Sequence, residues 1–161
     1  MRAKLVISAT AGLIAIAAVT SVALGLRSEG PADGITFLGK PVTSAQIALG
    51  QKLYATSCAS CHGANLEGQP DWKRRLENGR MPAPPHDAGG HSWHHSDRNL
   101  FMITKLGIGA VVPGYESDMP VFEALLSDDE IVAVLAYIKS TWPERERSFQ
   151  AEVTANDEGG Q

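Results

Sequence analysis

Five consecutive residues, Cys58-Ala59-Ser60-Cys61-His62, concentrate the reactive chemistry of the chain and hold both of its cysteines. A lone Cys-x-x-Cys has three ordinary uses. Half of a zinc site would need a second cysteine pair, which is absent, or histidines drawn from 86–95. A thioredoxin-like redox pair would need a strand–helix–strand setting that the surrounding sequence lacks. A plain disulfide is the third. The histidine directly after the second cysteine favours a fourth use, because Cys-x-x-Cys-His is the attachment pattern for c-type haem. Two thiols three residues apart on a helical turn can add to the two vinyl groups on one side of a porphyrin. The next residue then lies beneath the ring, where its imidazole can bind iron. Such a ring also brings apolar surface that a small, loop-rich domain could not assemble alone.

A sixth iron ligand would have to come from elsewhere, and the chain offers Met81, Met102 and Met119 beyond its first residue. Met119 lies in Asp118-Met119-Pro120-Val121-Phe122, where Pro120 stiffens the backbone and a rigid loop can hold a soft thioether. Met81 also precedes a proline but leaves little chain to reach the opposite face of the ring. Met102 falls in a helical stretch and reads as packing. A histidine on the iron, or an open position, is the remaining alternative.

Four of the five histidines, His86, His91, His94 and His95, crowd into ten residues. One reading is a polar loop that bonds haem propionates or backbone. A sharper one is a second metal site, copper or zinc, on His91, His94 and His95, since imidazoles suit both ions. Trp72 and Trp93 fit haem packing or propionate contacts. The basic cluster Lys73, Arg74, Arg75 and Arg80 is either a solvated face or a patch that neutralises propionates or steers a redox encounter.

Helices must frame these loops. Thr43 or Ser44 can cap a helix to about Ser57, with Ile47, Gly50, Leu53 and Tyr54 on one face. Ser127-Asp128-Asp129-Glu130 is a capping box that opens a second helix to about Thr141. Its stripe is Ile131, Val134, Leu135 and Ile138, and Pro143 stops it. A third helix is expected over Asp97 to Leu106, ended by Gly107. Between them, 63–95 and 107–120 are rich in glycine and proline without strand alternation, and loops of that length usually organise a site.

The 161 residues allow one domain with appendages. Hydrophobic residues at 43% against 20% charged fit a globular chain rather than a disordered one. A net charge of −4 argues against a nucleic-acid partner, whose binding rests on phosphate neutralisation. Nucleotide-binding glycine motifs are missing.

At the front, Arg2 and Lys4 precede an uncharged run from Leu5 to Leu26, closed by Arg27. Roughly 20 apolar residues suffice to span a bilayer, and the early basic residues favour an inside N-terminus. Residues 1–27 therefore read as a signal anchor that ties residues 5–26 to the inner membrane. A cleaved signal peptide, with small residues at Ser21-Val22-Ala23, is the alternative. Either way the domain is exported. Residues 28–42 have the composition of a linker, and the charged tail 143–161 is expected to be flexible beyond a short helical continuation.

Taken together, the helix with Gly50 and Tyr54, the Cys58–His62 motif, the Asp118-Met119-Pro120-x-Phe122 loop and the closing helix with Leu135-Ala136-Tyr137-Ile138 resemble the class I, mono-haem cytochromes c of bacteria. The resemblance covers residues 43–142. It implies an all-α fold, three to five helices around one covalent haem c, here preceded by an N-terminal hydrophobic helix. It implies thioether links at Cys58 and Cys61, His62 as proximal and Met119 as distal iron ligand, and a crossing of the first and last helices with Gly50 against Tyr137. It also implies a proline carbonyl that fixes the His62 tautomer; Pro70 is the candidate, with Pro82, Pro84 and Pro85 as substitutes. The expected function is electron transfer rather than catalysis, with redox partner proteins on the periplasmic side of the inner membrane, or in the soluble periplasm if the leader is cleaved. The alternatives are a copper-binding protein, or a haem-based sensor or peroxidase-like protein using the His86–His95 loop.

Overall fold

The computed structural model describes residues 30–159, so the apolar segment 5–26, with its anchor or signal reading, lies outside it. Among the described residues no helix is long and apolar enough to cross a membrane. A hairpin of β1 (Pro31–Phe37) and β2 (Lys40–Thr43) leads into α1 (Ser44–Ser57) and the short α2 (Ala59–His62). Then follow α3 (Asp97–Leu106), α4 (Asp128–Thr141) and α5 (Glu144–Gly159), with single 3-10 turns at Ser92–His94 and Ile108–Ala110. The architecture is mostly helical, the small cytochrome c type expected from the sequence.

Capping sets where the helices begin. Thr43 Oγ1 accepts from the Gln46 N–H at 3.2 Å, and Gln46 Oε1 accepts in return from the Thr43 N–H at 2.9 Å. Ser127 and Glu130 make the same reciprocal pair at the head of α4, and Ser96 caps α3. Each arrangement satisfies backbone donors that have no partner inside the helix.

The two helices α1 and α4 meet where α1 carries no side chain. A methyl on Gly50 would sit 1.9 Å from the Ala133 carbonyl oxygen and 2.9 Å from Tyr137 Cβ, so only glycine permits this approach. The expected pairing of Gly50 with Tyr137 is therefore present. Around it, Tyr54, Ile131, Val134, Leu135, Ile138 and Trp142 form the buried core.

Two segments differ from the sequence reading. Residues 28–42 were expected as linker, yet 31–43 pair as an antiparallel hairpin that buries Phe37 and Val42. The tail, expected to be flexible, contains the 16-residue α5. That helix packs through polar side chains: Gln150 is fully buried and Glu146 nearly so.

A buried ion pair joins these additions to the domain. Lys139 Nζ of α4 lies 3.0 Å from Asp97 Oδ1 of α3. The same carboxylate accepts from the Leu38 N–H of the hairpin turn at 2.9 Å and from Gln150 Nε2 of α5 at 2.7 Å. Both oxygens of Asp97 are thus hydrogen-bonded, which is the condition under which a buried charge is tolerable.

Candidate functional site

α1 runs straight into the Cys-x-x-Cys-His motif. The Cys58 N–H still bonds to the Tyr54 carbonyl at 2.9 Å, and α2 turns the following residues so that the His62 N–H reaches the Cys58 carbonyl at 2.9 Å. Both thiols are free, Cys58 half-buried and Cys61 exposed. Burial, and then the neighbouring Cys61, push the Cys58 thiol up to about 11, so it stays protonated at neutral pH. His62 is buried, and the Tyr54 hydroxyl donates to the Gly63 carbonyl at 2.8 Å, fixing the backbone just beyond it.

The tautomer of His62 follows from its partner. Nδ1 lies 2.8 Å from the Pro84 carbonyl oxygen. A carbonyl can only accept, so Nδ1 carries the proton. Desolvation lowers the ring's pKa below its ordinary value, with the Pro84 bond opposing this more weakly. The ring is therefore neutral at pH 7 and presents an unshared pair on Nε2, the state an iron ligand needs. The tautomer-fixing carbonyl belongs to Pro84; Pro70, the first candidate from sequence, is exposed and takes no part.

Residues that the sequence did not single out bring Pro84 to this position. Gln69 clamps the loop segment before it, its N–H donating to the Ala83 carbonyl at 2.9 Å and its Oε1 accepting from the Ala83 N–H at 2.8 Å. Gly68 has φ +69°, and a Cβ there would stand 2.5 Å from Pro85 N and 2.7 Å from the Pro84 carbonyl carbon. Gly90 is pressed against the Pro85 carbonyl in the same way, at 2.0 Å for its Cβ position. The available signal was a Pro-Pro step flanked by glycines at both ends of the loop.

The histidines divide. His86 stacks on His62 with ring centroids 4.0 Å apart, and its Nδ1 lies 2.7 Å from Ser92 Oγ. Desolvation holds its pKa well below the ordinary value, helped by the nearby His62 and His91. His91 stacks on Trp72 at 5.3 Å, while His94 stacks on Trp93 at 3.7 Å and meets Phe149 of α5 edge-on at 5.3 Å. His91 and His95 are 5.3 Å apart. Among the described residues no group of three or more His, Cys, Asp or Glu side chains is placed to hold a metal ion. The expected second site on His91, His94 and His95 is not assembled, because aromatic stacking turns His91 and His94 onto different neighbours.

Met119 is half-buried and packs against the same core cluster as Cys58, Ala59 and Trp93. Its loop is tied to α3 just beyond it, where Phe122 and Glu123 donate to the Thr104 and Lys105 carbonyls at 3.3 and 3.0 Å. Met102 lies within α3, as expected of a packing residue. The basic cluster lies on a loop whose Arg80 pairs with Asp118 and Glu116.

The donor set fits a covalent haem. Two free thiols flank one helical turn, a neutral buried imidazole offers Nε2, and a thioether packs against the same core. Two further polar atoms, Trp93 Nε1 and His91 Nδ1, are buried without a partner among the described residues. An indole N–H in that condition suits a carboxylate such as a haem propionate carries.

Comparison with known proteins points the same way. The family model described as Cytochrome c matches residues 47–142. The chain is 30% identical over 103 residues to the CcoP subunit of the cbb3-type cytochrome c oxidase of Rhodobacter capsulatus, covering 63% of this chain and 31% of that protein. It is 43% identical over 53 residues to the cytochrome c subunit of the cytochrome bc1 complex of Mycobacterium bovis, and equally to that of Mycobacterium tuberculosis, covering 26% of this chain and 19% of theirs. The chain thus spans under a third of the length of these relatives. No solved structure matches it.

Proposed function

The chain belongs to the cytochrome c family, and from that premise we propose that it is an exported electron carrier using His62 and Met119 as the axial ligands of its haem. Membership implies covalently bound haem c, and Cys58 and Cys61 stand where a Cys-x-x-Cys-His motif requires them. When bound, that group supplies a one-electron ferric–ferrous couple.

The protein's own part is to fix the ligands. His62 offers Nε2 because Pro84 occupies Nδ1. The carbonyl makes the imidazole a stronger donor, which favours the ferric state. Met119 is a neutral thioether, which favours the ferrous state and moves the potential upward. No proton need be lost or gained at His62 during turnover, since its Nδ1–H stays on Pro84. The relatives named above are subunits of respiratory complexes, which supports a role opposite redox partner proteins of that kind. The basic leader and apolar run 5–26 support a place on the periplasmic face of the inner membrane, tethered or released.

The observation that carries this reading is the buried, neutral His62 with its tautomer set at the end of the two-cysteine turn. Two measurements test it. The purified, exported protein should keep its colour in acidified acetone, because thioethers hold the porphyrin. Its ferric spectrum should show the weak long-wavelength thioether-to-iron absorption, lost in Met119→Ala together with a fall in potential. A Met119→Ala protein with the wild-type spectrum would remove Met119 from the iron.

A further inference from the structure

The loop that carries Met119 is poorly anchored by its own backbone. Among the described residues, no backbone hydrogen bond of residues 116–121 reaches another segment; Tyr115 bonds to the Val112 carbonyl on one side and Phe122 to Thr104 on the other. Within the loop the Met119 N–H donates to Ser117 Oγ at 3.0 Å, which shapes the turn but attaches it to nothing. Attachment comes from across the molecule. Arg80 Nη1 donates to Asp118 Oδ1, the residue beside Met119, and Arg80 Nη2 lies 3.9 Å from Glu116 Oε2.

Arg80 is itself held for this purpose. Its N–H donates to Asn78 Oδ1 at 3.0 Å and its carbonyl accepts from the Leu76 N–H at 2.8 Å. Arg75 donates instead to the Gly79 carbonyl of its own loop at 2.7 Å and lies 5.9 Å over the ring of Tyr115, at the near end of the Met119 loop. Pinning the backbone at Arg80 fixes where its side chain starts, so only side-chain ordering is left for the ion pair to overcome. A guanidinium facing two carboxylates also gains more than a single exposed pair.

We propose that Arg80 is a positioning residue for the distal ligand: by gripping Asp118 and Glu116 it holds the Met119 loop closed and so protects the sixth iron position from competing ligands. The inference rests on Met119 being the iron ligand. The grip acts on the equilibrium between a loop with the thioether bound and one with it released, and an external ligand can bind only in the second state.

The test is imidazole titration of the ferric holoprotein, followed by loss of the thioether-to-iron absorption. It is run at low ionic strength and again at roughly 0.5 M salt, where the Debye length falls to about 4–5 Å. For a partly exposed pair the expected gain in apparent imidazole affinity on Arg80→Ala is about three- to fivefold. Arg80→Lys, which keeps the charge but not the fork, should fall between the two. The gap between wild type and Arg80→Ala should narrow in high salt, whereas a variant that had merely loosened the fold would keep it. Arg74→Ala, on the same loop and exposed, should titrate as wild type. Equal affinities for wild type and Arg80→Ala, with the absorption intact in both, would overturn the grip while leaving Met119 as ligand. Absence of the absorption from wild type would instead overturn the ligand assignment, and the grip with it.

Discussion

At the scale of single residues, the decisive contact is the hydrogen bond from His62 Nδ1 to the Pro84 carbonyl, because it determines which nitrogen is available and how strongly it donates. That contact depends on a glycine outside the motif. Gly68→Ala puts a Cβ against Pro84 and Pro85 at a φ of +69°, so the Pro84 segment must move away. The expected cost is about 1–3 kcal/mol in a denaturant titration. The potential should also rise, since an imidazole that loses its carbonyl partner is a poorer donor and stabilises ferric iron less. A variant destabilised to this extent but with an unchanged potential would show that the carbonyl does not tune the iron. The Cys58–His62 motif was legible because its chemistry is local and its spacing is set by one helical turn. The choice among Pro70, Pro82, Pro84 and Pro85 was not, because it depends on how the long loop after His62 closes.

At the scale of elements, α1, α3 and α4 were readable from caps and apolar spacing, and their ends fall at Ser57, Leu106 and Thr141 as expected. The hairpin and α5 were hidden for two different reasons. Among the hairpin side chains whose burial is described only Phe37 and Val42 are buried, and its turn sets Gly39 beside Leu38 at φ +49°, where Asn would have made the hairpin signal plain. In α5 the inward positions Glu146, Gln150 and Thr154 recur every four residues but are polar, so hydrophobic periodicity is silent. What α5 and the hairpin share is Asp97, and this makes the Lys139–Asp97 pair the element-level test. Lys139→Met leaves a buried carboxylate without its countercharge and should cost about 3–5 kcal/mol. Adding Asp97→Asn should recover part of that loss in a double-mutant cycle, because a neutral amide oxygen still accepts from Leu38 while carrying no charge. A single Lys139→Met variant as stable as wild type would mean the pair contributes nothing to holding these elements together.

Across the whole molecule, the histidine-rich segment forms a packed layer between the haem-bearing turn and α5. Trp142 at the end of α4 donates to the His86 carbonyl at 2.7 Å, and Gln150 of α5 donates to the His95 carbonyl at 3.2 Å. His94 and Trp93 lean on Phe149 of the same helix. Enclosure has an electrostatic consequence, since desolvation lowers the pKa values of His86, His91 and His95, as it does for His62. Their surroundings reinforce it: His91 faces His95, His94 and Lys73, all cationic when protonated, and Asn99 opposes the shift only at His95. In the unfolded chain each would titrate near its ordinary value of about 6.5. The unfolded state therefore binds protons below that pH while the folded state does not, and stability present above it is lost as pH falls toward the folded pKa values. With iron on Nε2, as proposed, His62 would drop out of this balance and leave His86 as the largest contributor, with smaller shares from the half-exposed His91 and His95. The holoprotein should lose stability between roughly pH 7.5 and pH 5.5, where the unfolded chain takes up protons that the desolvated rings do not. This range lies above most carboxylate titration, so the loss can be assigned to histidines. Urea midpoints measured across it should fall for wild type and fall much less for His86→Leu, whereas a wild-type profile flat over that range would mean these rings are not held neutral by the packing of α4 and α5.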